Sequence, residues 1–215
     1  MLFAFASLVS GFATTGFKEI DGVQCASEIQ PGVQAPSRAF VIGLAQEGAT
    51  SPADGYGCTI TGCGMFSKGH KSDDEGAFIM EFERGDALPS GSMGIIGCAL
   101  PPNKDCMQAY PGFVASDWGI MAAFLGGNER AGTATLGGLW VDGNTGEVQE
   151  FEEGEAIPAG LKGMAVMGME PGESMPDVPV EEAIFCPIEL DKDDRRKLSL
   201  KRFKLTLDNL KKGHF

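Results

Sequence analysis

Three stretches of the chain share one arrangement of glycine, proline and acidic residues, each leading into an apolar run. This internal similarity constrains the fold more than any single motif does. Glu28-Ile29-Gln30-Pro31-Gly32-Val33-Gln34-Ala35-Pro36 precedes Ala39-Phe40-Val41-Ile42-Gly43. Phe82-Glu83-Arg84-Gly85-Asp86-Ala87-Leu88-Pro89-Ser90-Gly91 precedes Met93-Gly94-Ile95-Ile96-Gly97, and Phe151-Glu152-Glu153-Gly154-Glu155-Ala156-Ile157-Pro158-Ala159-Gly160 precedes Gly163-Met164-Ala165-Val166-Met167-Gly168. Upstream, Gly11, Gly64 and Gly138 each end a run of small and apolar residues. From that glycine to Pro36, Pro89 and Pro158 is 25, 25 and 20 residues, so a constant unit with one shorter internal loop fits all three. In the third copy Asp142-Gly143-Asn144-Thr145-Gly146 separates Leu139-Trp140-Val141 from Glu147-Val148-Gln149, the pattern of a hairpin turn between two strands. Each copy therefore reads as a strand, a hairpin, a tight corner and a further strand.

Glycine agrees with this reading. The 31 glycines among 215 residues are about twice the usual share of roughly 7%, lack the every-third-residue spacing of collagen, and concentrate at the proposed corners. A chain of this length buries enough surface to fold without a metal or disulfide staple. The expected fold is mainly β: three β-hairpin-based repeats forming small antiparallel barrels or sandwiches, with a C-terminal amphipathic helix. The expected divisions are repeats at 1–50, 51–102 and 131–180, an insertion at 103–130, and a basic arm at 181–215. Within the insertion, the run Asp117-Trp118-Gly119-Ile120-Met121-Ala122-Ala123-Phe124-Leu125 fits a buried strand or one short helix equally, and is too short to cross a bilayer. The apolar N-terminus has no Lys or Arg before Lys18, so it reads as a strand of the first copy and not as a leader.

Charge is distributed unevenly. Residues 1–190 carry 26 acids and 8 bases, a net of −18, whereas residues 191–215 carry 4 acids and 9 bases, a net of +5; together these give the −13 of the whole chain. A body this acidic repels nucleic acid and anionic membrane, so neither is an expected partner. In the basic arm, Leu200, Phe203, Leu207 and Leu210 recur at helical spacing, with acids at the start and Lys211-Lys212-Gly213 at the end. Phe203, Leu205 and Leu207 also alternate with Lys204 and Thr206 at strand spacing; helix is the favoured reading. One face is apolar either way, and an isolated segment of this length is marginal in water, so it must dock on its own body or on a neighbouring subunit.

Catalytic chemistry is not legible. His70 sits in a polar hairpin loop and His214 beside the C-terminus, and both read as solvated surface. There is no nucleophile elbow, phosphate-binding loop or calcium-loop spacing, and the expectation is a non-enzymatic protein without a cofactor or metal. Six cysteines show no C-x2-C pair. Because Cys25, Cys63, Cys98 and Cys186 have no counterpart in the other copies, they read mainly as small buried apolar groups in a reducing cytoplasm; a single disulfide, Cys58–Cys63 or Cys98–Cys106, is the alternative.

The stretch from Thr133 through Asp142-Gly143-Asn144-Thr145-Gly146 and the corner Gly154-Glu155-Ala156-Ile157-Pro158-Ala159-Gly160 into Met164-Ala165-Val166 resembles the small β-modules of tailed-bacteriophage head decoration or structural cement proteins. That resemblance implies a homo-oligomeric protein on the outer face of a virion capsid, assembled in the host cytoplasm and clamping the major capsid protein or other assembly subunits. The residues expected to contact the partner are Arg195, Arg196, Leu200, Lys201, Arg202, Phe203, Leu207 and Leu210, and secondarily Trp118 and Phe124. Two further readings stay open: a linker or peripheral subunit of another supercomplex, for example a photosynthetic one, and a virion receptor or carbohydrate-binding module using loops 67–76 and 142–146.

Overall fold

The computed structural model describes residues 18–20, 23–59, 62–74, 76–126, 132–133, 138–142, 148–151, 154–157, 159–160, 162–175 and 182–188. All regular elements among them are strands, in the order β1 (Lys18–Ile20), β2 (Val23–Ile29), β3 (Ala39–Ala45), β4 (Gly55–Thr59), β5 (Gly62–Phe66), β6 (Gly76–Phe82), β7 (Ser92–Ala99), β8 (Met107–Ala109), β9 (Gly119–Gly126), β10 (Gly132–Thr133), β11 (Gly138–Asp142), β12 (Val148–Phe151), β13 (Ala156–Ile157), β14 (Lys162–Met169) and β15 (Glu182–Pro187). The expected C-terminal helix lies outside the described residues.

The strands form two open antiparallel sheets and not closed barrels. One has the order β1-β2-β7-β3-β6-β4-β5 and the other β12-β11-β14-β9-β15-β8, with β10 and β13 pairing separately. Leaving out β1, the first sheet takes its first, sixth, second, fifth, third and fourth strands across its width. Read from the opposite edge, and leaving out β10 and β13, the second sheet repeats that sequence. The described residues thus present two units of one topology, the first over 23–99 and the second over 107–187.

The corners carry the same duplication. In the first unit Val33 N–H donates to the Gln30 carbonyl, closing a β-turn with Pro31 second and Gly32 third at φ 82°, where a side chain on Cα is disfavoured and glycine is not. This corner pairs with the one at Glu83–Asp86: Gly32 N–H donates to Leu88 O, Ala35 N–H to Asp86 O, Gly85 N–H to Ala35 O and Leu88 N–H to Val33 O. In the second unit Tyr110-Pro111-Gly112-Phe113 and Glu170-Pro171-Gly172-Glu173 form the matching pair, through Ala115 N–H to Glu173 O, Gly172 N–H to Ala115 O and Met175 N–H to Phe113 O. Gln34 bridges Ala87 as Val114 bridges Ser174. Two of the sequence-matched corners, 28–36 and 82–91, are therefore hydrogen-bonded partners within one unit. Of the segment 103–130, the described residues supply β8, a corner and the inner strand β9, which answers its strand-or-helix ambiguity in favour of strand.

Packing explains why the central strands read as unbroken apolar runs. Side chains alternate across a strand with period two, and here both faces are covered. Phe40, Ile42, Ala77, Ile79 and Ile96 from the first sheet meet Ile120, Ala122, Phe124, Met164 and Val166 from the second in one shared core. The intervening residues Val41, Phe78, Met80 and Phe82 point to the outer face of the first sheet, which Ala35, Leu88 and Val33 from the corner pair cover. Met121, Leu125, Met167, Met169 and Phe185 point outward on the second, against Ala115, Phe113 and Met175. Each corner pair is thus a lid on its own sheet. Gly43, at a register shift in the β3–β7 pairing, allows the closest approach: a Cβ there would stand 2.3 Å from the Met93 carbonyl oxygen.

Among the described residues, one disulfide lies within each unit. Cys25 on β2 faces Cys98 on β7, and Cys106, the residue before β8, is joined to Cys186 on β15; the sequence separations are 73 and 80 residues. Each links the beginning of a unit to its last strand. The reading of these cysteines as buried thiols is therefore corrected, and so is the Cys98–Cys106 alternative, since those two residues have other partners. Cys58 and Cys63 stand opposite each other in the β4–β5 register. Similarity among three copies concealed these pairings because the true period is close to eighty residues, with Cys106 and Cys186 answering Cys25 and Cys98.

Candidate interaction surface

β4 and β5 at one edge of the first sheet lie beside β8 and β15 at one edge of the second. Between them is a cavity of about 530 Å³ lined in part by Tyr56, Met65, Cys106, Gln108, Glu182 and Ile184. The edges are joined by a chain of side-chain hydrogen bonds: Tyr110 Oη donates to Gln108 Oε1, Gln108 Nε2 to Glu182 Oε1, and Tyr56 Oη to Glu182 Oε2. Tyr56 also packs its ring against Phe124, with centroids 4.9 Å apart, so one residue ties the shared core to this rim.

Arg38, in the segment leading into β3, fixes the connection between the units. Its guanidinium donates to Glu81 Oε2 at 2.6 Å, to the Lys104 carbonyl at 2.7 Å and to Asp105, and approaches Glu83 Oε1 at 3.5 Å. Glu81 Oε1 accepts the Cys106 N–H at 2.6 Å. Burial alone would lower the Arg38 pKa, but hydrogen bonding to Asp105 and the charge of Glu81 outweigh it and raise it. The guanidinium is therefore a permanent cation that holds residues 104–106 on the first sheet.

Among the described residues, no cation is paired with the topologically matching corner. Burial, and then the charge of Glu173, raise the pKa of Glu170, which occupies the place of Glu83. A carboxyl with a raised folded-state pKa contributes stability that is complete below its unfolded pKa and lost as pH rises through the folded value. Glu170→Gln is accordingly expected to raise the melting temperature slightly at pH 7, by little because solvent screens a group this exposed. Thermal melts across pH check this: the advantage should shrink to nothing as the medium is acidified below the ordinary glutamate range.

Large apolar side chains reach the surface at few described places. Met65 on β5 is 86% exposed, and Met107, Tyr110 and Val114 are 42%, 61% and 51% exposed. The last three lie on β8 and the corner that follows it. Aligning the two units places Gln30 where Tyr110 stands and Gln34 where Val114 stands, so the same backbone carries polar side chains in one unit and apolar ones in the other. An exposed apolar group on a position that its own duplicate makes polar marks a contact surface better than composition does.

A second hollow, of about 250 Å³, lies against the 67–76 loop. Phe66 and His70 stack at its side with centroids 5.9 Å apart, and Thr50, Ser51, Asp73 and Ser92 also line it. The Ser92 hydroxyl is buried and has no hydrogen-bond partner among the described residues.

The expected partner residues Arg195, Arg196, Leu200, Lys201, Arg202, Phe203, Leu207 and Leu210 lie outside the described residues. Trp118 is partly buried against the shared core, and its carbonyl accepts the Ile188 N–H at 3.0 Å. Phe124 is completely buried. Neither is brought together with an exposed patch, and Phe124 offers a partner no surface. Sequence reading missed Met107, Tyr110 and Val114. Aligning Gln30-Pro31-Gly32-Val33-Gln34-Ala35 with Tyr110-Pro111-Gly112-Phe113-Val114-Ala115 would have exposed them.

Among the described residues there is no cluster of three or more metal-ligating side chains and no helix long and apolar enough to cross a membrane. Compared with known proteins, the chain matches no family model, no curated protein and no solved structure.

Proposed function

We propose that this chain is a non-enzymatic structural protein of a large assembly, a viral capsid decoration or cement protein that holds neighbouring capsid subunits. What supports the reading most are the exposed apolar side chains of Met107, Tyr110 and Val114, displayed on a body whose described central strands are covered on both faces. The body is rigid by construction, with corner pairs closing over each outer face and a disulfide joining the ends of each unit. Disulfides persist on virion and cell surfaces and are rare in reducing compartments, so they fit a protein that matures outside the cytoplasm in which its chain is made. The acidic body and the basic residues 191–215 supply complementary charge for a clamp.

Deleting residues 191–215 is expected to leave a folded, soluble protein with an unchanged melting temperature that no longer binds its shell. Co-sedimentation with undecorated capsids is the measurement, and a truncated chain that binds as well as the full chain would remove the arm from the mechanism.

The hollow beside the 67–76 loop favours a second reading, a receptor-binding module that takes a sugar. A ring stack flanked by hydroxyls, with one buried hydroxyl unpartnered, is the chemistry a pyranose ring uses. A glycan-array signal abolished by His70→Ala and Ser92→Ala would establish that reading; a blank array would dismiss it.

A further inference from the structure

The hollow beside the 67–76 loop lies on the outer face of the first sheet, and glycine makes room for it. Gly57 and Gly64 stand opposite each other in the β4–β5 register, and Gly57 stands opposite Phe78 on β6. A Cβ built on Gly64 would meet nothing within 4 Å, so the hollow opens on bare backbone there. Phe66, Phe78, Met80 and Ala45 give it an apolar wall. Two loops that hydrogen-bond to each other hold its polar rim. Gly48 N–H donates to Ser72 O, Ser72 N–H to Ala49 O, Ser51 N–H to His70 O and Gly69 N–H to Ser51 O, at 2.7 to 2.8 Å. Ser92 lines the hollow opposite Ala45 in the β3–β7 register; it is 5% exposed, and its hydroxyl has no hydrogen-bond partner among the described residues. A buried hydroxyl left unpaired costs free energy that a ligand's hydroxyl would recover.

We infer that this hollow takes a single neutral or amino pyranose ring and excludes acidic sugars. The inference rests on the reading of this face as a receptor-binding module and names its ligand class. The volume admits one ring: about 250 Å³ lies below the roughly 300–1,000 Å³ of sites that take drug-sized ligands. A pyranose has an apolar face of C–H groups and an edge of hydroxyls, and the hollow is divided in the same way. Among its polar side chains, Ser51 and Ser72 already donate to the Ala53 and Asp74 carbonyls. Thr50, Asp73 and Ser92 have no side-chain hydrogen bond among the described residues and are left for a ligand. Charge then selects the sugar. The lining holds one carboxylate, the exposed Asp73, and no lysine or arginine, on a body whose residues 1–190 carry a net of −18. A sugar carboxylate would be repelled there, whereas a sugar hydroxyl or ammonium donates to Asp73.

The experiment is a ligand-observed NMR titration of full-length protein. Methyl glucoside, methyl galactoside, methyl mannoside and glucosamine form one arm, glucuronic acid and N-acetylneuraminic acid the other. At least one sugar of the first arm should bind, and neither acid should. Gly64→Leu puts a side chain into the hollow where no protein atom opposes its Cβ, so the variant should melt like the natural protein while its dissociation constant rises at least about tenfold. Ser92→Ala should weaken binding by about three- to tenfold, as loss of one neutral hydrogen bond does, and yet raise the melting temperature of the sugar-free protein, because the unpaired hydroxyl is gone. A hydroxyl with a purely structural role would lower it. No binding in the first arm, an acid bound as tightly as a neutral sugar, undiminished binding by Gly64→Leu, or a lowered melting temperature in Ser92→Ala would each overturn the inference. If Gly64→Leu fails to fold, the two Ser92→Ala readouts decide. A glycan array that responds only to acidic glycans and goes blank with His70→Ala would sink this inference and keep the receptor reading; monosaccharide binding lost in Gly64→Leu, beside a blank array, would do the reverse.

Discussion

Removing the Cys106–Cys186 bridge by a double alanine substitution is expected to cost about 4 kcal/mol, and removing Cys25–Cys98 about the same. The bridges close loops of 80 and 73 residues in sequence separation, and cross-linking loops of this length removes roughly that much free energy from the unfolded chain in the loop-entropy account. For a protein of this size the loss corresponds to a fall in melting temperature on the order of 10 °C. Since the whole stability of a domain is about 5–15 kcal/mol, loss of both bridges should leave the fold marginal. Calorimetry of the single-bridge variants, and of natural protein with and without reductant, measures this. The two deletions should be similar in size because the bridges occupy matching places in the two units, linking the beginning of each to its last strand. A reduced protein that melts where the oxidised one does would show that the bridges do not carry this share.

Phe124→Ala is expected to be comparably damaging, with a loss of about 3–5 kcal/mol. Phe124 is completely buried on β9, the central strand of the second sheet, and its ring contacts Tyr56 of the first. Deleting the ring opens a void between two sheets whose backbones are held by separate hydrogen-bond ladders, so the cavity cannot close by moving one side chain. It also loosens Tyr56, whose hydroxyl donates to Glu182 at the rim. Chemical denaturation gives the measurement. A loss under about 1 kcal/mol would mean that the sheets do not share this core.

The β class was legible because its local signals agree: glycine at corners, apolar runs of strand length, and turn clusters between them. The corners were read in the right places, since Gly32, Gly85 and Gly154 all take φ between 82° and 92°. What the similarity meant was harder to see. A corner followed by an apolar strand recurs within each unit as well as between units, because Gln30–Ala35 and Glu83–Leu88 are complementary halves of one lid. Matching by that local pattern yields three copies, whereas the duplication has a longer period and reveals itself only when whole corners are compared, Phe82-Glu83-Arg84-Gly85-Asp86-Ala87-Leu88-Pro89 with Met169-Glu170-Pro171-Gly172-Glu173-Ser174-Met175-Pro176. The cysteines were misread for the same reason, as a disulfide joins strands that are distant in sequence and adjacent only once the order of the sheet is known. An aromatic in the segment between matched copies fits either a core plug or a secondary contact by sequence pattern, and Phe124 is core. Covered on both faces, β9 has no surface to offer. The apolar edge at Met107, Tyr110 and Val114 was invisible for the converse reason, since three scattered residues form a patch only on a folded corner.

Disulfide mapping of the purified, unreduced protein tests the architecture most directly, because the pairing of cysteines far apart in the chain follows from two units of one topology and from nothing local. Proteolysis and mass spectrometry should recover the peptide containing Cys25 joined to that containing Cys98, and Cys106 joined to Cys186. Recovery of Cys98 joined to Cys106, or of these four residues as free thiols, would contradict the two-unit fold and the rigid body on which the clamp depends.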